Sequence, residues 1–235
     1  MKKLVKIKLI NWYTFQNQTI EIKGNVLVSG QNSSGKSTLL DAIQYVLTGG
    51  KQKFNQAANE KSARTLESYI RGKTNLENQK YIREGDVTAY IALEFENDNK
   101  TRKDIIGAVI ETTSSTKLNR SFFKITNTDL TDSLFIEDNA PKTLWSFKHT
   151  KEPKIEIFDT KTEIQQMICS VLGLNGTKYF ELLLKAIFFK PINDLNEFVN
   201  NFLLPEKNVS IDNLRQNVEE LRELLDIIEL EENKV

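Results

Sequence analysis

The chain has 235 residues, 39% hydrophobic and 27% charged, which is enough for one sizeable core or a core plus an extension. Lys+Arg and Asp+Glu are equal at 32 each, so a globally basic nucleic-acid-binding surface is excluded and any such contact must come from a local patch. The single cysteine, Cys169, excludes an intrachain disulfide and argues against a cysteine-built metal site; among Ile168, Val171 and Leu172 it reads as a buried, inert thiol.

The N-terminal MKKLVKIKLINWYTF alternates apolar residues with lysines, which is not the pattern of a signal peptide. No stretch approaches the length of a membrane span, so a soluble, cytoplasmic chain without membrane partners is expected. The alternation over Leu4–Ile10 predicts a half-buried strand, and Thr19–Ile22 a second short one with Gly24-Asn25 as the turn after it. Val26-Leu27-Val28 is wholly apolar, the pattern of a buried strand in a covered sheet. From Lys36 the period becomes helical, with Leu39, Leu40, Ile43, Val46 and Leu47 on one face and Gly49-Gly50 as the stop.

Residues 51–62 are polar and irregular, and a short helix is predicted over Ala63–Arg71. Three strands with a period near two follow, Val87–Phe95, Ile105–Thr112 and Ser121–Thr126, separated by Asn/Asp-rich turns; they predict an antiparallel meander. A helical lobe begins at Lys161. Its first helix runs to Gly173, a second spans Thr177–Phe188 before Pro191, and a third spans Leu195–Leu204 before Pro205. Finally Ile211, Leu214, Val218, Leu221, Leu225 and Ile228 alternate spacings of three and four, an a/d seam that predicts the start of a coiled coil, although a plain amphipathic helix would also satisfy it.

Gly30-Gln31-Asn32-Ser33-Ser34-Gly35-Lys36-Ser37-Thr38 fits the P-loop pattern, with an apolar run before it and an amphipathic helix after it. The glycines permit a tight loop whose N–H groups face phosphate oxygens, and the helix adds its N-terminal dipole. Lys36 is expected to reach the β and γ phosphates of ATP, Ser37 to ligate Mg²⁺, and Thr38 to hold the α phosphate. Asp41 reads as a first-turn helix acid. Hydrolysis needs more: an acid at the end of a second buried strand and a group that orients water. No apolar run ends in Asp-Glu. Ile155-Glu156-Ile157-Phe158-Asp159 comes nearest, but Glu156 interrupts it. No Leu-Ser-Gly-Gly-like signature is present either.

The segment Leu9-Ile10-Asn11-Trp12-Tyr13-Thr14-Phe15, the P-loop with Leu39-Leu40-Asp41-Ala42-Ile43, and the terminal heptads together resemble the N-terminal half of an SMC-type ABC ATPase head. Residues 57–73, Phe188–Ile192 and Phe198–Leu204 resemble the MukB-like branch, particularly the SMC subunit of Wadjet anti-plasmid systems. The resemblance implies an α/β P-loop fold, with the head half over residues 1–209 and a coiled-coil arm from 210 to 235. It implies that ATP is hydrolysed only with the chain's own C-terminal half, which carries the Walker B acids, and with a second head, which supplies a signature serine. It further implies kleisin and accessory subunits as partners and double-stranded DNA as the object of action, in plasmid defence by loop extrusion, chromosome maintenance or repair. An SbcC- or RecN-type repair ATPase and a stand-alone P-loop NTPase or kinase are the alternatives.

Asn11 and Trp12 are placed by the resemblance beside the nucleotide, Trp12 equally as core. Arg64 or Arg71 is placed in the arginine loop of the head. Lys61, Arg64, Arg71 and Lys73, with Lys80 and Arg83, form a locally basic stretch that reads either as a DNA contact or as a solvated face interrupted by glutamates. One departure is plain: the stretch Phe189–Asn193 lacks the glutamine this class sets facing Mg²⁺, and Gln165 and Gln166 lie upstream on a predicted helix. His149, the only histidine, reads as structural.

Overall fold

The computed structural model describes residues 2–32, 34–51, 54, 65–76, 79–113, 118–174, 176 and 178–187, all within one compact unit, Met1–Phe188. The predicted third helix, the heptad seam and the 209/210 boundary lie outside the described residues.

In chain order the elements are β1 (Lys2–Trp12), β2 (Phe15–Glu21), α1 (Lys36–Leu47), α2 (Leu66–Arg71), β3 (Lys73–Leu76), β4 (Gln79–Tyr81), β5 (Val87–Asn97), β6 (Lys103–Thr112) and β7 (Leu118–Thr126). A 3₁₀ turn (Asp132–Leu134), β8 (Ile136–Glu137), β9 (Ala140–Pro141), α3 (Leu144–Lys148), β10 (Ile155–Phe158), α4 (Lys161–Leu172) and α5 (Lys178–Ile187) follow. Six strands form one sheet in the order β10-β7-β6-β5-β1-β2, and every pairing in it is antiparallel. The predicted meander is its centre: Ile91 lies opposite Ala108, and Ala108 opposite Phe122.

The period of two sorts the sheet's side chains. Ile7, Leu9, Ile91, Leu93, Ile106 and Ala108 face α1, α2 and α4. Tyr90, Ala92, Ile105, Val109 and Phe123 face the opposite way. That second face is covered by the excursion between β7 and β10, which brings Leu130, Leu134, Phe135 and Phe147 onto it. Phe147 meets the Phe123 ring edge-on at 4.9 Å, and the Tyr90 hydroxyl donates to the Lys142 carbonyl at 2.6 Å. Each large apolar side chain so buried contributes about 1.5–3 kcal/mol relative to an exposed one.

This cover changes β1. Lys8, expected on a wet face, is buried, and its ammonium donates to Thr19 Oγ1 at 2.9 Å and Asp132 Oδ1 at 2.6 Å. The bond from Lys8, then one from Asn17, holds the Asp132 carboxyl below the usual range. The helical lobe follows its local signals. Thr160 and Glu163 form a capping box at the start of α4, and Gly173 ends it in a left-handed conformation (φ 69).

The expected buried strand at Val26-Leu27-Val28 is corrected. These residues make no ladder, and Leu27 is 89% exposed. A strand of that kind is buried by neighbours on both sides, and among the described residues none lies beside it. Cys169, expected to be buried, is half-buried. His149 is exposed, stands at the C-cap of α3 and stacks on Trp145 with ring centroids 4.4 Å apart. Among the described residues no helix is long and apolar enough to cross a membrane.

Candidate functional site

The loop 30–35 leads directly into α1, with Gly35 as its N-cap in a left-handed conformation (φ 96). No side chain caps the helix, so its first-turn N–H groups face the loop, the arrangement that receives an anion. Side chains crowd both glycines of the loop. A β-carbon on Gly30 would lie 2.8 Å from Ser34 Oγ, and one on Gly35 would lie 3.3 Å from the Phe15 ring. Ser34 N–H donates to the Gln31 carbonyl at 3.2 Å. The Lys36 ammonium donates to the carbonyls of Gly30 and Gln31, both at 2.6 Å, and so already lies across the loop. Ser37 is exposed and Thr38 buried. Ser33 lies outside the described residues. The donors, the exposed hydroxyl and the ammonium, which meets no carboxylate among the described residues, fit a phosphate chain with Mg²⁺.

Behind the loop stands an aromatic wall. Trp12 is fully buried, and its Nε1–H donates to the Thr38 carbonyl at 2.9 Å; Trp12 is therefore core. Tyr69 of α2 packs on Trp12 with ring centroids 4.7 Å apart, and its hydroxyl donates to Asp41 Oδ2. Asp41 is buried and α1 has no acid in its first turn, which corrects the reading of Asp41 as a first-turn helix acid. Only the fold reveals this pair, because its partners stand 28 residues apart.

The other predicted residues divide. The Asn11 side chain donates to the Thr88 carbonyl and accepts from Arg83, both at 2.9 Å, which leaves its side chain engaged away from the phosphate loop. Arg71 is 6% exposed. It donates to the carbonyls of Gly85 and Thr113 and to Thr112 Oγ1, and pairs with Glu67 at 3.1 Å. Arg71 is therefore a structural clamp and is corrected as a DNA contact; Arg83, engaged inward with four oxygens, is corrected with it. Lys73 is exposed. Lys61 and Arg64 lie outside the described residues. Asp159 follows the edge strand β10, is exposed, and pairs with Lys148 at 3.3 Å.

A basic cleft of about 220 Å³ lies at the far end of α1, lined by Lys51, Arg120 and Lys161 among others, with Asp159 as its only acid among the described residues. Arg120 donates to Tyr45 Oη at 3.4 Å and to the Gly50 carbonyl at 3.3 Å, two neutral acceptors. Burial pushes the Tyr45 hydroxyl pKa up, and Arg120 opposes the rise. Among the described residues none of the three cations pairs with a carboxylate. The sequence hid this cluster, because its members come from three separate stretches of chain.

Residues 4–61 match the family model described as the P-loop containing region of AAA domain. The match covers most of β1, all of β2, the phosphate loop and α1. No curated protein matches the sequence. The chain thus carries a nucleotide-binding region of the P-loop NTPase kind.

Proposed function

We propose that this chain is the ATP-binding half of an SMC-like ATPase head of the MukB/Wadjet branch. It acts on double-stranded DNA in plasmid defence by loop extrusion, chromosome maintenance or repair. Lys36 and the loop N–H groups hold the phosphates of ATP, and Ser37 ligates Mg²⁺. Bound nucleotide supplies the phosphoryl bond to be cleaved. The chain's own C-terminal half and a second head bring the residues that cleave it.

The observation that carries this reading is the exposed Val26-Leu27-Val28. An apolar triplet running straight into a phosphate loop is written for a sheet interior, yet its side chains are 53%, 89% and 40% exposed. Helix α1 buries Leu39, Ala42, Tyr45 and Val46 and leaves Leu40 52% exposed. Apolar surface of this kind, on a stretch that joins no ladder among the described residues, calls for an added strand. A second head half would supply it together with the missing acids.

Purified alone, the 235-residue chain is expected to bind Mg²⁺-ATP without turnover above the buffer rate. Turnover on the order of 1 s⁻¹ or faster by the isolated chain would point instead to a stand-alone NTPase or kinase.

The DNA reading draws on Lys51, Arg120 and Lys161, and on exposed Lys73. Replacing the first three together by alanine should weaken duplex binding and lower the slope of log affinity against log salt by up to about 3. A slope identical to wild type would remove the cleft from the DNA surface.

A further inference from the structure

Two residues behind the phosphate loop adopt the left-handed conformation without being glycine: Asn11 (φ 51) and Tyr13 (φ 50). Each such residue costs about 1–2 kcal/mol and persists only where its surroundings enforce it. Together they turn β1 into β2 so tightly that Trp12 pairs with Phe15. Both of those side chains then support the site. Trp12 donates to the Thr38 carbonyl, and the Phe15 ring lies against Gly35.

Arg83, between β4 and β5, closes this turn. Its Nε donates to Asn11 Oδ1 at 2.9 Å. Nη1 donates to the carbonyls of Tyr13 at 2.9 Å and Ile70 at 3.0 Å. Nη2 donates to the Phe15 carbonyl at 3.3 Å. All four acceptors are neutral, and burial pulls the Arg83 pKa below the ordinary arginine value. The rigid fork of the guanidinium is what reaches several oxygens at once, and a lysine ammonium has no such span.

We infer that Arg83 is a positioning residue for nucleotide binding: by clamping Asn11, Tyr13 and Phe15 it fixes Trp12 and Phe15 behind Thr38 and Gly35 and thereby sets the shape of the phosphate loop. The inference rests on the nucleotide-binding reading above. Among the described residues Arg83 bonds to none of the loop itself. Arg71 is its natural comparison, a buried arginine with as many bonds, none of them to the turn or the loop.

The test measures Mg²⁺-ATP affinity and thermal stability of the full chain carrying Arg83→Lys, Arg83→Gln, Arg71→Lys or Phe15→Leu. A Trp145→Phe background makes Trp12 the sole tryptophan, since the chain has two. The Arg83 variants should bind ATP about 3- to 30-fold more weakly and show an altered ATP-induced change in Trp12 emission. Phe15→Leu, which keeps the backbone acceptor and removes the ring, should lose affinity likewise, so the idea stays testable if an Arg83 variant fails to fold. Arg71→Lys should lose stability and bind ATP as the wild type does. Wild-type affinity in the Arg83 and Phe15 variants overturns the inference. So does an equal affinity loss in Arg71→Lys, which would signal general loosening. If wild type binds and Lys36→Ala does not, such a result leaves the nucleotide reading standing; if wild type does not bind at all, both fall.

Discussion

Lys36→Ala is expected to weaken Mg²⁺-ATP binding by about 100-fold or more while leaving the fold intact. The ammonium is held across the loop by two carbonyls at 2.6 Å and pairs with no carboxylate among the described residues, so its charge is poised for an anion. Hydrogen bonds to charged groups are worth about 1.5–3 kcal/mol each. Loss of contacts to two phosphates therefore exceeds about 3 kcal/mol, or roughly two decades in affinity. The loop also loses the bridge between Gly30 and Gln31. Lys36 belongs to neither hydrophobic core, so the melting temperature should move little. Lys36→Arg keeps the charge but presents a wide planar fork where a point charge sits between two carbonyls, and should recover only part of the affinity. Isothermal titration decides it: wild-type affinity in Lys36→Ala would sink the P-loop assignment.

What the sequence made legible follows the range over which each signal acts. The phosphate loop is written in nine adjacent residues, and its glycines and lysine stand where the motif requires them. The meander is legible because β5, β6 and β7 keep a period of two and are joined by turn residues. The α4 boundaries are legible because Thr160, Glu163 and Gly173 act within one helical turn. Charged side chains are a different case. Arg71 and Arg83 sit in a lysine- and glutamate-rich stretch and look solvated, and only the tertiary fold shows that each satisfies backbone carbonyls from other segments. The cover of the second face was equally hidden. Phe135 and Phe147 stand 12 residues apart in no helical or strand period, yet they stack on each other and close together over Tyr90 and Phe123. Val26-Leu27-Val28 shows the reverse failure: its pattern encodes a burial that the described residues do not provide.

Gly107→Ala should be the most destabilising single-methyl change in the sheet, costing about 3 kcal/mol, at the upper end of what overpacking a tight core costs. Gly107 lies in β6, in the middle of the sheet, opposite Ala92 on one side and Phe123 on the other. Its φ is not positive, so space and not conformation demands glycine here. A β-carbon would fall inside contact distance of the Ile91 carbonyl oxygen and of the Phe123 ring, whose Cε1 would be 2.9 Å away. Neither neighbour yields easily. The carbonyl belongs to the central strand and cannot retreat without disturbing the β5–β6 ladder. The ring is pinned by Phe135 and Phe147 at 5.9 and 4.9 Å. Gly24→Ala provides the contrast, since nothing lies within 4 Å of a β-carbon there and only its left-handed backbone (φ 71) is penalised, by about 1–2 kcal/mol. Urea unfolding of the two variants separates lack of space from lack of conformational freedom, and equal stabilities would refute the packing argument. Because the clash falls between β5 and the second-face core, the folded fraction of Gly107→Ala should keep its ATP affinity, in opposition to Lys36→Ala, which keeps its fold and loses its ligand.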